Sequence, residues 1–274
     1  MTSGLIDIGV NLTSSRFDDD REAVLAAALG GETPPLAALI ITGTSLAESR
    51  AAVALCDQYG QHYPQQLSAT AGIHPHSASD YSSGSIAELA ELARHPSVVA
   101  IGETGLDFNR NFSPPESQQR SFVGHIELAA ETGLPLFLHE RDASARLLDI
   151  LSQHRDHFRG GVLHCFTGDK KALYGYLDLD LYIGITGWVC DERRGLELQR
   201  LVREIPAERL LLESDAPYLL PRTLRPKPKQ GRNQPCYLTE VLTTVAALRG
   251  DRADQLAATT AANSRRLFGL PDAP

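Results

Sequence analysis

A (β/α)8 TIM barrel of the α/β class is the fold that this 274-residue sequence predicts, on three observations. Eight short runs rich in Ile, Val and Leu recur along the chain without strict polar alternation, as in parallel strands covered on both faces. Amphipathic stretches of helical length separate them. Most runs lead into a residue able to bind a cation or move a proton, and a barrel assembles its active site from the C-terminal ends of its strands.

The first run, Leu5–Val10, leads into Asn11, and Leu36–Thr42 follows. Ser68–Ile73 delivers His74. Val98–Glu103 closes on Glu103, Leu134–His139 closes on His139, and Gly161–Cys165 carries His164 near its end. Leu181–Thr186 precedes Trp188, Arg193 and Arg194, and Leu210–Ser214 delivers Asp215. The clearest helices are expected over Ala47–Tyr59 and Glu116–Glu131. Ser113-Pro-Pro-Glu116 is expected to form a capping box at the start of the second, and Gly133-Leu-Pro135 to stop it. A doubly wound open sheet is the competing architecture. Gly9-Val-Asn-Leu-Thr, however, lacks the Gly-rich phosphate fingerprint that usually follows the first strand of that fold. No linker or fixed repeat interrupts the alternation, so one domain over residues 1–274 is expected.

Hydrophobic residues make up 42% of the chain, enough for a continuous core, and the net charge is −8. That charge argues against a protein that coats polyanions generally, because such binding rests on phosphate neutralisation by Lys and Arg. The four cysteines form no CxxC pair, which points to a reduced, cytoplasmic setting. No basic, apolar leader opens the sequence, and no run approaches the ~18 apolar residues of a membrane span. Pro221–Pro235 breaks the composition: it holds Arg222, Arg225, Lys227, Lys229 and Arg232 and no acid. Following the last strand, it reads either as a solvated Pro-rich loop or as a positive island that steers phosphate toward the mouth.

Glu103, His139 and His164 form the sharpest constellation. Hydrolytic metal sites take oxygen and imidazole ligands from several strands and leave a position open for water. The fourth, fifth and sixth strands are neighbours in a barrel, so these three side chains can converge. Asp215 could accept a proton from the attacking water, bind a second ion, or simply cap the turn before Ala216-Pro217. Glu213 shares its parity and reads as an interior partner. His74 and His76 flank Pro75, and either could meet a phosphate or serve a rigid turn, with His74 nearer the strand. Arg141, Arg193 and Arg194 suit phosphate oxygens, although arginines are common at helix starts. Trp188 could stack a nucleobase or pack within its loop.

At these residues the sequence resembles the TatD family of metal-dependent deoxyribonucleases, within the amidohydrolase-like metal-dependent hydrolase barrels. The matching segments are "AGIHPH", "VVAIGETGLDFNRNF", "PLFLHERDA", "VLHCFTG", "YIGITGWVCDERRG" and "LLLESDAPYLLPR", and the likeness runs from Ile6 to about Phe268. Relatives of this kind carry His-x-His after the first strand, where this chain has Gly9 and Asn11. "DIGVNLT" with "GWVCDERRG" resembles one branch of the family, for which the likeness implies a magnesium-dependent 3′–5′ exonuclease. Its substrates would be the 3′ ends of single-stranded DNA and RNA, with a link to repair of oxidative DNA damage. The resemblance carries metal-ligand roles to Glu103, His139 and His164, water activation to Asp215 and a substrate-side role to His74. Manganese or zinc could substitute, since imidazole and carboxylate ligands do not select magnesium. A monomer without membrane association is expected. The competing functions are a metal-dependent deacylase, for example on aminoacyl-tRNA, and a catalytically weakened nucleic-acid-binding protein.

Overall fold

Each of the eight apolar runs forms a strand in the computed structural model, which describes residues 4–32, 35–228 and 230–271. The strands are β1 (Leu5–Val10), β2 (Leu36–Ile41), β3 (Leu67–Ala71), β4 (Val98–Asp107), β5 (Leu136–Arg141), β6 (Gly161–Leu163), β7 (Tyr182–Ile185) and β8 (Leu210–Leu212). They lie in sequence order, every neighbouring pair parallel. Two backbone bonds bring the ends together: Asp215 N donates to Gly9 O at 2.9 Å, and Asn11 N to Ala216 O at 2.8 Å. The sheet is thereby a nearly closed barrel.

Helices α1 (Arg21–Leu29), α2 (Leu46–Gly60), α3 (Ser83–Leu92), α4 (Pro115–Thr132), α5 (Ser144–Gln153), α6 (Lys170–Asp178), α7 (Leu196–Leu201), α8 (Leu238–Arg249) and α9 (Ala253–Phe268) surround it. Ser45 starts α2 by accepting from the Glu48 amide at 3.1 Å. Gly133 ends α4 in the left-handed conformation, with φ of 69°. The expected capping box at α4 does not form. Ser113 instead spends its hydroxyl on the segment after β3, donating to His76 O at 2.9 Å and accepting from Ser79 N at 3.0 Å. Pro114 is the cap residue, with no side-chain cap bond.

The core has two parts. The larger lies between strands and helices, and a smaller cluster gathers Ile6, Ile8, Ile40, Phe137, Val162 and Leu211 with Leu267 and Phe268 from the end of α9. Side chains two apart share a face of a strand, so Phe137 and His139 point the same way, as do Val162 and His164, and Leu211 and Glu213. Apolar residues therefore fill one end of the barrel interior, and the chemistry-bearing ones stand at the other.

Candidate metal centre and active site

Glu103 was expected at the end of its strand, but β4 continues four residues beyond it to Asp107. A register shift between Gly102 and Thr104 leaves Glu103 as an extra residue opposite β5, where Phe137 and Leu138 pair with the residues on either side. Such a bulge re-aims a side chain. Gly102, with φ of 142°, adopts a backbone conformation closed to residues with a β-carbon. The Glu103 amide leaves the regular ladder and donates to Gly43 O at 2.8 Å.

The result is a carboxylate oxygen ringed by imidazoles. Glu103 Oε1 lies 3.2 Å from His74 Nε2, 3.0 Å from His139 Nδ1 and 3.1 Å from His164 Nε2. Ligands at right angles around a cation with bonds of about 2.1 Å stand roughly 3 Å apart, so this spacing suits a shared ion. By distance alone His74, Glu103 and His139 form a group that could hold one. Proton placement separates the histidines further. His74 Nδ1 accepts from the His76 amide at 3.0 Å, and burial depresses this imidazole to about 4. A neutral ring with an accepting Nδ1 carries its proton on Nε2, which makes that atom a donor and not a ligand. His164 is the reverse case: Nδ1 donates to Glu213 Oε2 at 2.9 Å, leaving the Nε2 lone pair toward Glu103. His139 Nε2 is buried without a hydrogen-bond partner, 3.4 Å from Asp107 Oδ2.

Electrostatics match this arrangement. Burial alone would raise Glu103, but His74, His164 and His139 together hold it well below the ordinary carboxylate range. Burial would likewise depress His164, yet Glu213 and Glu103 on its two sides raise it well above its usual value. A cation held at this nitrogen would displace the His164 proton, and affinity for it would then rise with pH. Asp215, whose Oδ1 accepts from Asn11 Nδ2 at 2.9 Å, is pushed up to about 7 by burial, reinforced by Glu213 and Glu103.

Glu213 explains the missing imidazole at position 9. Its fully buried carboxylate bonds His164 through Oε2 and the Cys165 amide through Oε1, the latter at 2.5 Å. A β-carbon built on Gly9 would lie 2.6 Å from Oε2, and one on Gly184 2.6 Å from Oε1. Two glycines from β1 and β7 thus form the slot that lets Glu213 reach His164. Gly9→Ala is expected to cost about 1–3 kcal/mol in denaturant unfolding. It should also weaken manganese binding about 10- to 100-fold by calorimetry, the usual consequence of disturbing a partner of a ligating histidine. Wild-type affinity in that variant would show that the slot does not matter.

Asp107 was not singled out from the sequence. It accepts from or faces His76 Nε2 at 2.7 Å and His139 Nε2 at 3.4 Å, and it receives the amides of Asn109 and Arg110. Its position at the true end of β4 would have been the only signal.

A cavity of about 620 Å3 opens onto the site, lined in part by Arg110, Arg141, Trp188 and Tyr218. Asn11, His74, Glu103, His139, His164 and Asp215 all reach it, and Arg141 stands exposed at its rim. Arg194 lines an adjoining cavity of about 340 Å3 instead. Arg193 lines neither and lies 4.0 Å from Asp191. The Pro221–Pro235 loop is less of a positive island than its composition suggests. Arg232 is buried and paired with Asp20 at 2.5 Å, Arg222 is held by Glu192 at 2.8 Å, and Arg225 bonds backbone carbonyls. Lys227 remains exposed, and Lys229 lies outside the described residues.

A family profile described as TatD related DNase matches residues 6–269. The chain is 51% identical over 266 residues to the 3′-5′ ssDNA/RNA exonuclease TatD of Shigella flexneri serotype 5b, covering 97% of this chain and 99% of that protein. To the protein of the same name from Escherichia coli K12 it is 50% identical, with the same coverage. Among solved structures it is similar to a TatD homologue from Escherichia coli K12, with TM-score 0.87 and 28% identity over 99% of this chain and 100% of that one. It shares its fold with an organophosphorus hydrolase from Deinococcus radiodurans, with TM-score 0.65 and 16% identity over 97% of this chain and 93% of that one.

Proposed function

The chain belongs to the family of TatD-related DNases, and on that premise we propose that it is a magnesium-dependent 3′–5′ exonuclease acting on single-stranded DNA and RNA. The observation that carries this reading is the convergence of three imidazole nitrogens on Glu103 Oε1, beside a cavity rimmed by arginine.

Glu103, His139 and His164 are the residues that would hold the divalent ion. The donor set fits: His164 offers a bare Nε2 once it gives up its proton, Glu103 stays ionised, and His139 turns Nδ1 to the same carboxylate oxygen at 3.0 Å. When bound, the ion would polarise a phosphoryl oxygen and favour hydroxide at neutral pH. Asp215 takes the proton of the attacking water at the carboxylate oxygen not engaged by Asn11. His74 donates from Nε2 to a phosphate oxygen, the role its protonation state favours. Arg110 and Arg141 balance phosphate charge at the rim. With Gly9 on β1 and Asn11 just beyond its end, a second ion has only a neutral amide from that segment and binds weakly. Manganese or zinc would also fit these ligands.

The chain in this reading is one hydrolase domain, a cytoplasmic monomer that trims 3′ ends during repair of oxidised DNA. Its four cysteines are unpaired, and no helix among the described residues is long and apolar enough to cross a membrane. Single strands labelled at each end in turn test the polarity. Stepwise shortening from the 3′ end in magnesium, abolished by chelator and restored by the ion, is the expected result. Internal cuts, or loss from the 5′ end, would overturn it.

A further inference from the structure

Two cavities meet at Trp188. The catalytic cavity and the smaller one of about 340 Å3 are both lined by Trp188 and Leu219, so these residues form a partition between them. The partition is fixed in place. Trp188 belongs to a short 3-10 turn, Gly187–Cys190, whose Thr186 cap accepts the Trp188 amide. Any β-carbon at Gly187 would collide with the Leu219 carbonyl, so the segments after β7 and β8 approach as closely as backbone allows.

The far side of the partition is cationic. Arg194, Arg222 and Lys227 line it against a single acid, Asp191. Asp191 Oδ2 holds Arg194 at 3.3 Å, while Arg222 is oriented by Glu192, outside the cavity lining, through two bonds of 3.0 and 2.8 Å, with Asp191 Oδ1 at 3.7 Å. The Arg194 guanidinium sits 4.8 Å from the Trp188 ring centroid. Lys227 has no carboxylate partner among the described residues.

We propose that this second cavity is a nucleotide subsite, holding the body of a single strand while its 3′ end occupies the catalytic cavity. This deepens the exonuclease reading and rests on it. An indole at the boundary offers a π-face to whichever base crosses it, and cations beyond it meet the phosphates. Stacking and charge of this kind hold single strands without reading sequence. An enzyme that removes nucleotides one after another needs such tolerance, because each cycle brings a new base to the same place. The Lys227 ammonium is the group free to meet phosphate, while Arg194 and Arg222 present the N–H edges their carboxylates leave over.

The test is equilibrium binding of 5′-fluorescein oligothymidylates of two and of five nucleotides to the full chain in EDTA, followed by anisotropy. The wild-type protein is expected to bind the pentamer about tenfold more tightly than the dimer, within the range for one stacked base. Trp188→Ala and Lys227→Glu should each bring that ratio to within about twofold. Trp188→Phe, which keeps an aromatic face, should restore most of it. Lys227 is exposed, so its variant reports on binding even if Trp188→Ala disturbs the turn. Equal affinities in the wild type, or an undiminished ratio in both variants, would overturn the subsite. The same proteins are then assayed with magnesium. Wild-type protein that shortens strands but shows no length dependence removes the subsite and leaves the exonuclease standing. Protein that neither binds nor shortens them removes both.

Discussion

Glu103→Gln is expected to lower cleavage of single-stranded DNA, assayed in magnesium, by about a thousandfold, equivalent to roughly 4 kcal/mol of lost transition-state stabilisation. The substitution keeps the size of the side chain and removes its charge. Three imidazole nitrogens stand 3.0–3.2 Å from one oxygen of this carboxylate. Without that charge the proposed ion site loses its one ionised oxygen ligand, and the charged forms of His139 and His164 lose a counter-ion. Manganese binding measured by calorimetry should fall in parallel, which distinguishes loss of the ion from a purely local chemical defect. Cleavage at the wild-type rate would exclude Glu103 as a ligand.

Asp215→Asn is expected to reduce turnover about 10²- to 10⁴-fold, the range for loss of a general base, with little change in ion affinity. The pH profile is the sharper readout. Burial and the neighbouring Glu213 and Glu103 push the Asp215 carboxyl up to about 7 in the metal-free protein. A base must be ionised to act, so wild-type turnover should rise with pH and level off once Asp215 has lost its proton. A bound cation lowers that value, which places the inflection of the active enzyme on the acid side of 7. The variant should lose the inflection altogether. A wild-type profile that is flat from pH 5 to 8 would remove Asp215 from the proton-transfer step.

The barrel was legible because every strand is covered on both faces, so the eight apolar runs stand out against amphipathic helices. His74, His139, His164 and Asp215 were legible for a related reason: a polar residue that follows such a run has few places to go but the mouth. What escaped notice depends on contacts between distant parts of the chain. The bulge that turns Glu103 inward shows only in the register of β4 against β5. Asp107 belongs to the site because β4 continues beyond the apolar stretch that marked it. Ser113 looked like a helix cap until the segment after β3 claimed its hydroxyl. The basic loop misled in the same way, since the carboxylates that occupy Arg222 and Arg232 lie on other segments, at Glu192 and Asp20. Gly9 read as a lost ligand, and only the position of Glu213, more than 200 residues later, shows why a side chain is excluded there.

The two amide bonds that seal the sheet join its first strand to the residues just beyond its last. Asn11 and Asp215, which face each other across this seam, are therefore among the earliest and the latest parts of the centre to be synthesised. A chain still emerging from the ribosome holds the imidazoles and Glu103 long before it holds the proton acceptor. Hydrolytic competence should then await the segment that carries Asp215, whichever parts of the barrel are already in place.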